Sequence, residues 1–134
     1  MALINWDDSF SVNVREIDDQ HKKLVAMLNE FYGYIGKDSG DAFKKLLNSL
    51  VDYTVYHFAT EERYFARFGY PASKAHIEAH QQFAARVLEV KKRLESGELV
   101  LSFEITTFLK DWLTTHIKGS DKAYSKFFNE HGLS

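Results

Sequence analysis

The segment from Thr54 to Pro71, TVYHFATEERYFARFGYP, contains the pattern that decides the fold. Its apolar residues recur at spacings of three and four, which is the period of one face of an α-helix. A histidine and a glutamate share that face, whose members are Thr54, His57, Phe58, Glu61, Phe65 and Phe68. Gly69 and Pro71 then end the helix, since both residues disfavour its continuation. The segment predicts an amphipathic helix whose buried side carries polar groups.

The same period recurs on both sides of this segment. The predicted helices lie at about 18–36, 41–67, 72–95 and 101–118, with a short helix at about 120–129. Asp18 is the candidate N-cap of the first helix, and residues 1–17, with Trp6, form an arm. The predicted inner face of the third helix consists of His76, His80, Phe83, Ala84, Val87, Leu88 and Leu94. The final short helix places Tyr124, Phe127 and Phe128 inward.

Short connections between helices of similar length favour an antiparallel up-down-up-down four-helix bundle. We therefore predict an all-α protein in which residues 1–134 form a single domain with an N-terminal arm and a short C-terminal helix. The chain has no cysteine, which excludes disulfides, thiolate metal sites and a cysteine nucleophile. Any metal it binds must be held by nitrogen and oxygen atoms.

Charge and hydropathy exclude two further classes of protein. The net charge is −2 with dispersed Lys and Arg, which gives no basic surface for nucleic acid. The N-terminus MALINWDDSF does not have the form of a secretory signal, and no apolar run is long enough to span a membrane. We expect a cytoplasmic protein that is a monomer.

Five of the six histidines fall on predicted inner faces. They are His21, His57, His76, His80 and His116. A single histidine on an apolar helix face is more often a core residue with one hydrogen bond than a metal ligand. Burying five imidazoles and a carboxylate without partners would cost about 1–3 kcal/mol for each group, against a typical stability of about 5–15 kcal/mol. A metal centre is the simplest common partner, whereas His131 matches no inner face and is predicted to lie at the surface.

The spacing of these residues indicates how ligands would be shared. His57 and Glu61 are four residues apart, as are His76 and His80, so each pair projects from one helix face toward a common point. Glu78 lies two residues after His76, on the opposite side of its helix, and is predicted to be solvated. The HIEAH motif therefore does not resemble that of a zinc protease, in which the glutamate assists the metal.

The stretch WLTTHIKGSD, from Trp112 to Asp121, leaves one question open. On an uninterrupted α-helix Asp121 would be rotated about 140° from His116 and would leave the core face. A break at Gly119-Ser120 would permit a kink that turns the carboxylate inward. Asp121 would otherwise cap the last short helix, and spacing alone does not choose between these interpretations.

The motifs resemble those of the hemerythrin family, and in particular its single-domain bacterial form. The resemblance covers nearly the whole chain, through the arm with Trp6, IDDQH ending at His21, HFATEE from His57, HIEAH from His76 and WLTTHIKGSDKAY from Trp112. An isolated HxxxH is a weak indication. Five histidines and two acids in this order and at these spacings are highly specific.

The resemblance implies a non-haem di-iron centre with an oxo or hydroxo bridge. By motif, one iron would be held by His76, His80 and His116. The other iron would be held by His21 and His57. The two irons would be bridged by Glu61 and Asp121. The first iron is then six-coordinate and the second five-coordinate, which leaves one position for O2. Imidazole and carboxylate also suit zinc, copper or manganese, so the choice of iron rests on the resemblance.

The implied function is reversible O2 binding, for storage or for delivery to oxygen-requiring enzymes. The residues expected around the open position are apolar: Leu24, Phe58, Trp112, Leu113 and Ile117. Without an acid or base there, the bound oxygen is protected from proton delivery and its binding stays reversible. The alternatives are an oxygen or redox sensor and a di-iron enzyme acting on peroxide, nitric oxide or iron(II). Besides O2, an electron donor or an oxygen-consuming enzyme is the expected partner.

Overall fold

The computed structural model describes residues 3–33, 40–96 and 102–134, and all regular structure in these ranges is helical. The long helices are α1 (Arg15–Tyr32), α2 (Gly40–Phe68), α3 (Ser73–Glu95) and α4 (Ser102–Thr115). A π-helical turn (His116–Asp121) joins α4 to α5 (Lys122–Glu130), and a short 3-10 helix (Asp8–Phe10) lies in the arm. The predicted all-α four-helix bundle is confirmed, although the predicted end of the first helix at 36 lies outside the described residues.

The direction of the helices follows from which residues share a layer of the bundle. One layer brings together the histidines of α1, α2 and α3 with His116, which directly follows α4. The next layer surrounds a small cavity, and its members are Leu24, Thr54, Phe83 and Leu113. These residues lie three positions after a histidine in α1 and α3 but three positions before one in α2 and α4. The helices therefore alternate in direction, as an up-down-up-down bundle requires.

The start of α1 differs from the prediction. The helix begins at Arg15, and the residue before it, Val14, has extended backbone angles. Asp18 is therefore not the N-cap but lies in the first turn, where a negative charge is favourable. Its carboxylate accepts hydrogen bonds from the Ser11 hydroxyl at 2.6 Å and the Val12 amide at 2.8 Å. Asp18 thus fastens the N-terminal arm to the bundle.

The apolar core is divided into two clusters. The larger contains Leu24, Val25, Leu28, Phe31, Leu47, Leu50, Phe58, Phe83, Val87, Ile105, Leu109 and Ile117, with Ile4 and Phe10 from the arm. The smaller contains Val12, Val14, Ile17, Phe65, Tyr70, Tyr124 and Phe128. Ile17 and Leu24 belong to different clusters, and His21 lies between them in sequence. The buried polar groups are thus enclosed by apolar layers on both sides, each large side chain contributing about 1.5–3 kcal/mol on burial.

The inner face of α3 is narrower than predicted. Phe83 and Val87 are buried, but Ala84 and Leu88 are exposed, Leu88 to 48%. Both exposed residues border an apolar groove that Val55 of α2 also lines. Ala84 and Leu88 each directly follow a buried residue, and adjacent residues on a helix differ by only about 100°. The apolar period of the sequence therefore included them in the predicted inner face. None of the described helices combines the length and the hydropathy that a membrane crossing needs.

Candidate metal centre

Helices α1, α2 and α3 and the π-helical turn that follows α4 supply side chains to one buried polar site. The residues are His21 from α1, His57 and Glu61 from α2, His76 and His80 from α3, and His116 and Asp121 from the π-helical turn. Each is at most 6% exposed. The structure thus brings together all seven residues that the sequence predicted as metal ligands, whereas His131 is exposed.

The site consists of two overlapping groups that share both carboxylates. Within each group, one donor atom from every residue lies within 4.8 Å of all the others. The larger group is Glu61, His76, His80, His116 and Asp121, and the smaller is His21, His57, Glu61 and Asp121. We call these the three-imidazole group and the two-imidazole group. The arrangement is unequal, because one side has one imidazole more than the other.

The carboxylate of Asp121 lies between the two groups. Its Oδ2 is 3.0 Å from Nε2 of His21, in the two-imidazole group. Its Oδ1 is 2.9 Å from Nε2 of His76 and 3.1 Å from Nε2 of His116, in the three-imidazole group. Each oxygen therefore faces one side, which is the orientation that a bridging carboxylate requires.

The carboxylate of Glu61 also contacts both groups. Its Oε1 lies 3.3 Å from Nε2 of His57 and 3.2 Å from Nε2 of His80. Its Oε2 accepts a hydrogen bond from the hydroxyl of Tyr124, which is fully buried. A carboxylate oxygen has two lone-pair sites, so the bond from Tyr124 orients Glu61 and still leaves it able to bind a cation.

The π-helical turn explains how Asp121 reaches this site. Its hydrogen bonds run from residue i to i+5, so residues five apart, such as His116 and Asp121, return toward the same face. The predicted departure from α-helical geometry at Gly119-Ser120 is thus present as a π-helical turn that turns Asp121 inward, although Gly119 does not have a positive φ. The alternative is wrong, since the Asp121 side chain makes no capping hydrogen bond to α5.

Several buried polar atoms of the site lack hydrogen-bond partners, as expected of atoms that bind a metal. Within the described part of the chain, five buried atoms have no hydrogen-bond partner: His21 Nδ1 and Nε2, Glu61 Oε1, and both oxygens of Asp121. Four of them lie within about 3.3 Å of another donor or acceptor, so what they lack is alignment rather than proximity. Each unpaired group costs about 1–3 kcal/mol. Imidazole nitrogens and carboxylate oxygens that converge while several of these atoms lack an aligned hydrogen bond fit a non-haem metal centre.

The pKa values of the two carboxylates also fit a metal centre. Burial and the charge of Asp121 both oppose ionisation of Glu61, yet the imidazoles of His57 and His80 outweigh them and lower its pKa to about 2. Burial likewise opposes ionisation of Asp121, but His116 and two further imidazoles hold its pKa well below the usual value. Both carboxylates are therefore charged at neutral pH. A metal cation can replace the protons that the imidazoles would otherwise carry beside them.

Two histidines have hydrogen-bond partners on their outer nitrogens that sequence reasoning missed. Nδ1 of His57 is 2.7 Å from Oε1 of Gln20, and Nδ1 of His80 is 3.0 Å from Oε2 of Glu62. Such partners orient a ligand ring so that its other nitrogen faces the metal. Gln20 lies four residues before Leu24 and therefore on the edge of the apolar face of α1. This position in the sequence was a signal, because an amide on a buried face needs a hydrogen-bond partner.

A small apolar cavity lies next to the histidine layer. It encloses about 20 Å³ and is lined by Leu24, Leu28, Leu50, Thr54, Phe83, Leu109 and Leu113. Leu24 and Leu113 are among the five predicted pocket residues. The other three do not line it: Phe58 stacks on His80 with ring centroids 3.7 Å apart, Trp112 stacks on His116 at 4.3 Å, and Ile117 is buried in the larger apolar cluster.

Comparison with known proteins places these features in a family. The Hemerythrin HHE cation binding domain profile matches residues 12–128. The bacteriohemerythrin of Stenotrophomonas maltophilia (strain R551-3) is 37% identical over 131 residues, covering 98% of this chain and 85% of the relative. The bacteriohemerythrin of Methylococcus capsulatus is 34% identical over 125 residues, covering 92% and 95%.

The fold shows the same similarity. A crystal structure of wild-type hemerythrin superimposes with a TM-score of 0.90 at 32% sequence identity. The match covers 93% of this chain and 97% of that one. Since the family profile spans nearly the whole chain and the relatives are similar over most of their length, this chain belongs to the hemerythrin family.

Proposed function

We propose that this chain binds O2 reversibly at a pair of iron ions, for oxygen storage or for delivery to oxygen-requiring enzymes. Oxygen binding is the function of the family to which the chain belongs. The observation that carries the proposal is the pair of overlapping groups, one with three imidazoles and one with two, that share Glu61 and Asp121. A cation in the two-imidazole group would have one protein donor fewer, which leaves room for a small ligand.

In this proposal each of the seven side chains has a distinct part. The histidines of the three-imidazole group, His76, His80 and His116, would hold one iron, and His21 and His57 the other. Glu61 and Asp121 would join the two. When bound, two iron(II) ions supply the electrons that O2 takes up and later returns. The protein contributes an unequal donor set, two buried negative charges and a surrounding that limits access of water.

The cavity supports reversible binding over oxidation of a substrate. Its lining is apolar except for Thr54, whose hydroxyl donates to the backbone oxygen of Leu50 at 2.7 Å. That hydroxyl proton is engaged within α2 and does not point into the cavity as a free donor. Protonation of reduced oxygen favours its loss as peroxide, so a lining without a free proton donor protects the bound state. We propose on this ground that the chain is an oxygen carrier and not an enzyme.

The partners and location follow from the same proposal. O2 is the ligand, and an electron donor would return any chain oxidised in air to the iron(II) state. An oxygen-consuming enzyme would receive the oxygen. We propose a cytoplasmic monomer; because the chain has no cysteine, its folding does not depend on an oxidising compartment.

Loading with iron under anaerobic conditions tests the proposal. Metal analysis should give two irons per chain, and O2 should then produce a visible absorption that disappears on flushing with argon through repeated cycles. His57→Ala should retain less iron and lose the reversible absorption, whereas His131→Ala, which changes an exposed histidine, should behave as the unmodified chain. A single oxidation that argon does not reverse would contradict the proposal.

A further inference from the structure

The hydrogen bonds on the outer nitrogens of His57 and His80 differ in charge. His57 belongs to the two-imidazole group and faces the neutral amide of Gln20, which is buried. His80 belongs to the three-imidazole group and faces the carboxylate of Glu62, whose side chain is 35% exposed. The two metal positions therefore differ in the groups behind their ligands as well as in the number of imidazoles.

The orientation of the Gln20 amide is fixed by a chain of hydrogen bonds. The Thr60 hydroxyl donates its only proton to the backbone oxygen of Tyr56 at 3.2 Å. The Thr60 oxygen can then only accept, and it lies 3.2 Å from Nε2 of Gln20. The amide oxygen of Gln20 must consequently face His57, at 2.7 Å from Nδ1.

This orientation determines where the proton of the His57 ring lies. An amide oxygen only accepts hydrogen bonds, so Nδ1 of His57 must donate. In the neutral imidazole, Nε2 then has a free lone pair, and it is the atom that lies 3.3 Å from Oε1 of Glu61 in the site. Gln20 thereby keeps one ring proton on Nδ1, so that Nε2 is the nitrogen on which a cation can replace a proton.

We infer that Gln20 is a positioning residue that fixes the His57 tautomer. Because its amide is neutral, it also makes a metal ion in the two-imidazole group harder to oxidise than a carboxylate at the same place would. A carboxylate behind an imidazole raises the basicity of the ring and favours a higher charge on the metal. The amide withholds this effect from the position that the proposed function assigns to O2, on which the inference rests. Electrons given to O2 from that position are then returned more readily.

The first test measures metal binding and ring protonation without O2. Zinc(II) titrations compare the unmodified chain with Gln20→Leu, which removes the acceptor, and with Glu78→Gln, which changes an exposed residue of α3. We expect Gln20→Leu to weaken zinc binding about 10- to 100-fold and Glu78→Gln to leave it unchanged. In nitrogen-15 NMR spectra of the zinc-loaded chain, the proton of His57 should lie on Nδ1. A proton on Nε2, or equal zinc affinity in all three chains, would overturn the inference.

The second test measures the reduction potential of the iron-loaded chain. Gln20→Glu should favour the oxidised state at least tenfold, which corresponds to about 59 mV for a one-electron couple, and Glu62→Gln should shift the potential in the opposite direction. Thr60→Val keeps Gln20 but removes the hydroxyl that fixes the orientation of its amide, and it should also alter the reduction potential. This variant replaces Gln20→Glu in the test if Gln20→Glu does not fold. Potentials equal to that of Glu78→Gln would overturn the inference. Since zinc binding needs no O2, failure of the inference is distinguishable from failure of the proposed function.

Discussion

Replacing Tyr124 with phenylalanine would remove one hydroxyl group from beside Glu61 and leave the ring in place. Tyr124 is fully buried, and its hydroxyl donates to Oε2 of Glu61. Burial and the nearby carboxylates raise the pKa of Tyr124 well above its usual value, so the hydroxyl remains a donor at working pH. A hydrogen bond to a charged group contributes about 1.5–3 kcal/mol. We expect the metal-free variant to lose about this much free energy of unfolding.

Urea unfolding of the metal-free and metal-loaded proteins measures this loss. Tyr70→Phe is the matched control, because it also removes one phenolic hydroxyl from the smaller apolar cluster. The ring centroids of Tyr70 and Tyr124 are 6.3 Å apart. The control should lose less, since the Tyr124 hydroxyl is the one that contacts Glu61. The loss in Tyr124→Phe should shrink when metal is bound, because a cation then also stabilises the Glu61 carboxylate. Equal losses in both variants, or equal losses with and without metal, would refute the reasoning.

Three further predictions concern two glycines, a buried aromatic residue and the wall of the cavity. Gly119→Ala should raise the free energy of unfolding by about 0.4–1 kcal/mol, because an added Cβ meets nothing within 4 Å. Gly69→Ala should lower the free energy of unfolding by about 1–2 kcal/mol, because Gly69 has φ +67°. Urea unfolding measures both changes. Phe128→Ala should lower the free energy of unfolding by about 3–5 kcal/mol in the same assay, and Leu88→Ala, at a half-exposed position, by much less. Leu113→Glu should hasten oxidation of the iron-loaded chain in air, followed by absorption, because it places a proton donor in the cavity wall; an unchanged rate would contradict the assignment of the cavity.

Much of the bundle was predictable because its core faces follow the α-helical period. The histidines fall at those periodic positions, so the rule that buries leucine and phenylalanine also brings the imidazoles together. His76 and His80, four residues apart, illustrate this: both are buried and both belong to the three-imidazole group. The exposure of Leu88 shows the limit, because the period defines the centre of a face more sharply than its edges.

Interactions between distant segments were not predictable from local pattern. Asp18 resembles an N-cap by residue type, but its hydrogen bonds go to Ser11 and Val12 of the arm, and the helix has already begun. Gln20 reaches across to His57, 37 residues away, and no local spacing reports such a contact. Partners of this kind depend on how two helices are aligned along their axes, which periodicity alone leaves undetermined.

The π-helical turn marks a third case, in which the sequence contained a signal of another kind. Ile105 and Leu109 of α4 and His116 directly after it are buried and follow one helical phase, which would continue to Ser120. From Ile117 onward the buried positions are Ile117, Asp121, Tyr124 and Phe128, which follow a second phase offset by one residue, and Ser120 is exposed. One additional residue in the turn produces this offset, as expected of a π-bulge. The same offset brings both Asp121 and Tyr124 to the site, where Tyr124 contacts Glu61. The change of phase between Ile105, Leu109 and His116 before the offset and Ile117, Tyr124 and Phe128 after it was a sequence signal of an inward Asp121 that the interpretation of Gly119-Ser120 did not use.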